Sequence, residues 1–194
     1  GLFLELLEIY EDLDGFYGCM GETVPGRRSS YYIEAIVPAL KRIGRNPRFI
    51  LHQWQIPLDD YLEDIVQKKV YDNTWLGFHA YNSEQITDAK PYPGLVLWAE
   101  RTGMPTVATL MPSNVRWFPF NSPKFAAEIV AEMKRIPHFK GYMYREFGPG
   151  ALSPLFRKAL AYYSKTDETY SDEPWIAILE KEYGDQDAAR HFLH

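Results

Sequence analysis

The chain has 194 residues, 46% of them apolar and 24% charged, and a net charge of −5 at pH 7. This is enough apolar material for one packed core, and the interspersed charges offer no clustered basic face of the kind nucleic acid requires. No apolar run approaches the ~20 residues that span a bilayer, and the first residues lack the charged-apolar-small order of a signal peptide, so neither a membrane nor a nucleic acid is an expected partner.

In chain order, residues 2–13 (LFLELLEIYEDL) place Leu and Ile at helical spacing and predict an amphipathic helix. Gly15 follows, and 16–20 form a short apolar strand. The pattern then repeats: a helix over 29–43 and a strand over 48–54 (RFILHQW), a helix over 58–70 and a strand over 75–81 (WLGFHAY), a helix over 91–102 and a strand over 105–111 (PTVATLM). One more cycle gives a helix over 122–136 and a strand over 140–146 (KGYMYRE). Strands without polar alternation are covered on both faces, which marks a parallel sheet built from strand-helix-strand crossovers. Residues 151–193 read as three further helices. Between the last two stands Gly184-Asp185, a glycine that ends one helix and an aspartate that caps the next.

The fold class expected is therefore α/β, with parallel (β/α) units forming part of a TIM barrel and extra C-terminal helices. Residues 1–150 would be the C-terminal half of a (β/α)8 barrel and 151–194 the helices packed on it. Five units cannot close eight strands, and the chain opens on a helix, so an N-terminal part of the barrel is an expected partner. The competing architecture is an open doubly wound sheet, which places its ligand where the strand order reverses. No glycine-rich phosphate loop follows any of these strands.

Barrel enzymes keep their sites at the C-terminal ends of the strands, and polar groups gather there in this sequence. The first strand runs into Gly21-Glu22-Thr23, the second into His52-Gln53-Trp54, and the third into His79-Ala80-Tyr81-Asn82-Ser83-Glu84. The fourth is followed by Asn114-Val115-Arg116-Trp117 and the fifth by Tyr144-Arg145-Glu146. Carboxylate, imidazole, amide and guanidinium beside aromatic rings is a mixture suited to a sugar, whose hydroxyls take hydrogen bonds and whose C–H faces stack on rings. The 14 Tyr, 11 Phe and 5 Trp of the chain agree with that, although rings also fill cores.

Glycoside hydrolysis needs two carboxylates, one protonated to donate to the leaving oxygen and one ionised as nucleophile or base. Glu22 is the candidate general acid: it follows a strand directly, and Tyr17 and Trp54 are apolar neighbours able to raise its pKa. The alternative for Glu22 is an ion pair with Arg27 or Arg28. Glu146 and Glu84 compete for the second role. Arg145 would keep Glu146 ionised, but the same neighbour suits a plain salt bridge, and Glu84 lies in a loop where it would serve equally as a helix cap. The candidate substrate-binding residues are Trp54, His52, His79, Tyr81, Asn82, Asn114, Arg116, Trp117, Tyr144 and Arg145. Arg116 and Arg145 fit an anionic group, because a guanidinium grips a carboxylate at two points. His52 and His79, on adjacent strand ends, open a metal-dependent alternative, but no His-x-His or His-Glu-x-x-His spacing supports it, so neither metal nor cofactor is expected. The single cysteine, Cys19, cannot form an internal disulfide.

The segment DGFYGCMGE (Asp14 to Glu22), followed by four strand-helix units with Trp, His and Tyr at their ends, resembles the second half of clan-type glycoside hydrolase barrels, whose acid/base Glu follows the fourth strand. The segment EKEYGDQDAARHFL (Glu180 to Leu193) is similar to the helical stretch that follows the barrel in α-glucuronidase-like hydrolases. The resemblance implies a hydrolase acting on an oligosaccharide or polysaccharide, including one that carries uronic acid, with Glu22 at the acid position. By analogy it also implies a secreted or periplasmic setting. Where those families carry Asn-Glu this chain has Gly21-Glu22, so the hydrogen bond of that Asn must come from another residue. A non-catalytic carbohydrate-binding barrel would use the same rings and arginines without a facing carboxylate pair.

Overall fold

The computed structural model describes residues 2–20, 28–80, 89–110, 122–144 and 154–193. It divides into two compact units, one comprising residues 1–80, 92–109 and 136–143, the other residues 81–91, 110–135 and 144–194. Among the described residues no helix is long and apolar enough to cross a membrane.

The first unit is built on five parallel strands: β1 Gly15–Cys19, β2 Arg48–His52, β3 Thr74–His79, β4 Thr106–Leu110 and β5 Phe139–Tyr144. They lie in the order β1-β2-β3-β4-β5. A doubly wound sheet reverses its order at a switch point; this one runs sequentially, as an arc of a barrel does. Register is set by pairs such as Cys19 with His52, His52 with Gly77 and His79 with Thr109. Gly77 permits a close approach: a Cβ there would stand 3.0 Å from the Ile50 side chain and 3.3 Å from the His52 Cα.

Neighbours in register share a face, which gives the sheet two distinct sides. One carries Phe49, Leu51, Leu76, Phe78 and Ala108, all buried. Helices cover it. Phe3 of α1 (Leu2–Ile9) meets Phe16 and Phe49 edge-on, with centroids 5.6 and 6.3 Å apart, and Tyr32 packs on Phe49 at 5.0 Å. Trp98 of α5 (Pro93–Thr102) meets Phe78 at 5.4 Å and Tyr61 at 5.2 Å. The other side carries Tyr17, Arg48, Ile50, His52, Trp75, His79 and Thr109. There Tyr17, Arg48, Ile50, Trp75 and His79 are only half-buried. Arg48 stacks its guanidinium on Trp75, 3.9 Å from the ring centroid. The expectation that every strand is covered on both faces is thus met by β4 alone, all five of whose residues are buried.

Two crossover helices widen into π turns. Helix α2 (Arg28–Tyr31) continues through the π segment Tyr32–Ile36 into α3 (Val37–Arg42), and α4 (Leu58–Tyr61) continues into the π segment Leu62–Gln67. A fully buried tyrosine stands where each begins: the Tyr32 and Thr74 hydroxyls are hydrogen-bonded at 2.7 Å, and the Tyr61 hydroxyl donates to the Leu51 carbonyl at 3.3 Å. The two helices are tied by Asp64, 3% exposed, which accepts from the Ser29 hydroxyl (2.5 Å) and from Lys68 Nζ (2.8 Å). A buried carboxylate needs such partners, since desolvation of an unpaired one costs several kcal/mol.

Among the described residues, the second unit holds four helices, α6 Pro123–Met133, α7 Pro154–Lys165, α8 Glu173–Tyr183 and α9 Gln186–Leu193. Ser122 caps α6, its Oγ accepting from the Phe125 N–H at 3.1 Å. Ala126, Ile129, Val130 and Met133 of α6, with Leu155, Phe156, Ala159 and Leu160 of α7, are buried. Trp175 of α8 is 2% exposed, and its Nε1–H donates to the Tyr163 hydroxyl at 2.9 Å. The predicted boundary between the last two helices is as expected: Gly184 has φ +75, and Asp185 Oδ1 accepts from the N–H groups of Asp187 and Ala188 at 2.8 and 3.0 Å.

The first helix is shorter than the expected 2–13. It ends at Ile9, where Arg45 Nη2 donates to the Leu7 and Tyr10 carbonyls at 2.6 and 3.3 Å, and Ile9, Tyr10 and Leu13 are 70, 54 and 43% exposed. Strands β2 and β3 end at His52 and His79, two residues before their predicted ends.

Candidate active site

Three of the predicted site residues come together at the C-terminal edge of the sheet's half-covered face. His52 is the last residue of β2 and His79 the last of β3; their rings meet edge-on with centroids 4.5 Å apart. Trp54, in the turn after β2, meets His79 edge-on at 5.1 Å, and Tyr17 of β1 flanks His52 at 5.6 Å. Four rings from three segments thus form one continuous aromatic group. The strand register is the cause, since it aligns the ends of β1, β2 and β3.

The turn carrying Trp54 is fixed by its backbone. The Gln53 N–H donates to the Gly77 carbonyl (3.0 Å), the Ile56 N–H to the Gln53 carbonyl (2.8 Å), and the Trp54 N–H to His52 Nδ1 (3.2 Å). Gln55 closes the turn with φ +59, a left-handed conformation uncommon outside glycine. His52 itself is 2% exposed. An Nδ1 that accepts a hydrogen bond carries no proton.

Thr109 and Cys19 belong to this edge and were not among the predicted site residues. Thr109, beside His79 in register, is 1% exposed, and its Oγ1 has no hydrogen-bond partner among the described residues. Cys19, beside His52 in register, is exposed. Neither stands out in the sequence; only the strand register sets them beside the histidines. Tyr17 was read only as an apolar neighbour of Glu22, and it belongs to the ring cluster itself.

Tyr144 ends β5. The remaining predicted residues, Glu22, Tyr81, Asn82, Glu84, Asn114, Arg116, Trp117, Arg145 and Glu146, lie outside the described residues, as does the Tyr144 side chain. Among the described residues no group of three or more His, Cys, Asp or Glu is placed to hold a metal ion.

No family model matches the chain, and neither does any curated protein. Among solved structures the chain is similar to a GH138 enzyme targeting pectin rhamnogalacturonan II, with a TM-score of 0.72 and 17% identity. The match covers 98% of this chain and 26% of that one, so the chain spans about a quarter of the enzyme's length. The class this defines is a fold: an α/β arrangement like that of a glycoside hydrolase. In particular, the likeness is to part of a GH138 enzyme.

Proposed function

We propose that the chain is part of a glycoside hydrolase that cleaves an oligosaccharide or polysaccharide, uronic-acid-containing ones included. The observation that carries this reading is the ring cluster Tyr17, His52, His79 and Trp54 at the C-terminal strand edge of a glycoside-hydrolase-like fold. That edge is where barrel enzymes bind, and flat rings beside imidazoles suit a sugar's C–H faces and hydroxyls. Glu22 is the general acid in this reading, and Glu146 or Glu84 the nucleophile or base. Arg116, Arg145, Trp117 and Tyr144 hold a uronate carboxylate; Tyr81, Asn82 and Asn114 bind hydroxyls. The α-glucuronidase-like stretch Glu180 to Leu193 supports an acidic sugar, as does the pectin named for the GH138 enzyme. Residues 1–150 act as the C-terminal half of a barrel, completed by an N-terminal part, with 151–194 as appended helices.

The test is the hydrolytic rate of the longest natural form of the protein on pectin-derived, other uronic-acid-containing and neutral oligosaccharides, beside Glu22→Gln. Loss of about two to four decades in rate with binding retained supports Glu22 as the acid. Glycan binding without cleavage by either form replaces the hydrolase with a carbohydrate-binding barrel. A stereochemical assay of the product then separates the two mechanisms, since retention needs carboxyl groups ~5–5.5 Å apart and inversion ~6.5–9.5 Å.

A further inference from the structure

We infer that His52 is a positioning residue for Trp54: in its Nε2–H tautomer it holds the Trp54 backbone through Nδ1 and so sets the ring on which a sugar stacks. The inference rests on the proposed carbohydrate site for its consequence, though not for its geometry. Trp54 sits in the four-residue turn Gln53 to Ile56, in which Gln55 has φ +59. A left-handed non-glycine residue costs about 1–2 kcal/mol, so the turn needs tethers. The Trp54 N–H has one in His52 Nδ1 at 3.2 Å, and the ring of that histidine is buried between Tyr17 and His79. The imidazole is therefore clamped on both sides while its acceptor nitrogen faces the turn. Trp54 is half-exposed and lies edge-on to His79, the ring that also touches His52. His52 thus bears on Trp54 in two ways, through the Nδ1 hydrogen bond to its backbone and through the His79 ring that both touch. Among the described residues, the groups bordering His52 from the neighbouring strands include Tyr17 and Cys19 on β1 and His79 on β3.

The experiment combines long-range proton–nitrogen NMR of the histidine rings with amide hydrogen exchange at Trp54, in the full chain and in the variants His52→Leu and His52→Asn. The parent is expected to show His52 protonated on Nε2 and bare on Nδ1, with a protected Trp54 amide. In His52→Leu, Trp54 amide protection and affinity for a galacturonic-acid oligosaccharide each fall about tenfold, the size of one lost hydrogen bond. His52→Asn, whose side-chain oxygen can accept the same N–H, restores both to within about threefold. A proton on Nδ1 in the parent, or an unchanged Trp54 amide in His52→Leu, overturns the inference. If His52→Leu does not fold, the parent tautomer and the Asn variant decide it. If the parent binds no oligosaccharide, the carbohydrate reading fails, while the tautomer and the amide still decide the role of His52.

Discussion

On one side of the first unit's sheet, Phe49, Leu51, Leu76 and Ala108 are no more than 2% exposed, and Phe49 packs against Phe3 and Tyr32 of the covering helices. On the other side the same strands carry Arg48, His52, Trp75, His79 and Thr109, several of them half-exposed. Both sets come from strands that read as apolar, and they differ by one step of a two-residue period. The comparison teaches that stability and recognition are interleaved along each strand: odd and even positions answer to different demands.

Substitutions can break this comparison. The largest expected effect is on the helix-covered side, where Phe49→Ala should destabilise by about 3–5 kcal/mol in chemical denaturation, because it empties a site packed by Phe3 and Tyr32. A loss below about 1 kcal/mol would mean the two faces are not divided as described.

The next effect sharpens the same division through pH. Burial raises the Tyr32 hydroxyl well above its ordinary value, against a smaller lowering by the Thr74 hydrogen bond. Below about pH 10 the phenol is neutral in both folded and unfolded chains and makes no pH-dependent contribution. Above that the unfolded chain ionises first, so stability falls as pH rises toward the folded value, by about 1.4 kcal/mol at pH 11 for this one group. Tyr32→Phe should remove that share of the alkaline loss in melts between pH 9 and 11; an identical slope in parent and variant would contradict it.

The smallest effect belongs to the open side. A double-mutant cycle on Arg48 and Trp75 should give a coupling of about 0.5–1 kcal/mol, as for a partly exposed cation–π pair. A coupling beyond about 2 kcal/mol would show that this pair is desolvated and that something covers the face in solution.

The strand-helix alternation was legible because each element has its own period and punctuation, Gly184-Asp185 being the sharpest case. Two features were not. The helical pattern of Leu2 to Leu13 does not reveal that Ile9, Tyr10 and Leu13 are exposed and that the helix stops at Ile9. The π segments following Tyr31 and Tyr61 leave apolar spacing nearly unchanged, so periodicity is blind to them. At the site, His52, Trp54 and His79 were found because imidazoles at apolar strand ends are conspicuous, whereas Thr109 and Tyr17 look like ordinary strand residues until register places them beside the histidines. The carboxylates chosen for chemistry all follow strands, in segments outside the described residues.

The turns that lead into β2, β3 and β5 contain Asn46, Lys69 and His138, each with φ between +46 and +56. Residues with a Cβ are strained there, and glycine would be at ease. These positions stand at the edge of the sheet opposite the ring cluster. The protein therefore has mutational headroom at one end of its strands: the fold can be made sturdier there, leaving the other end free to change what it recognises.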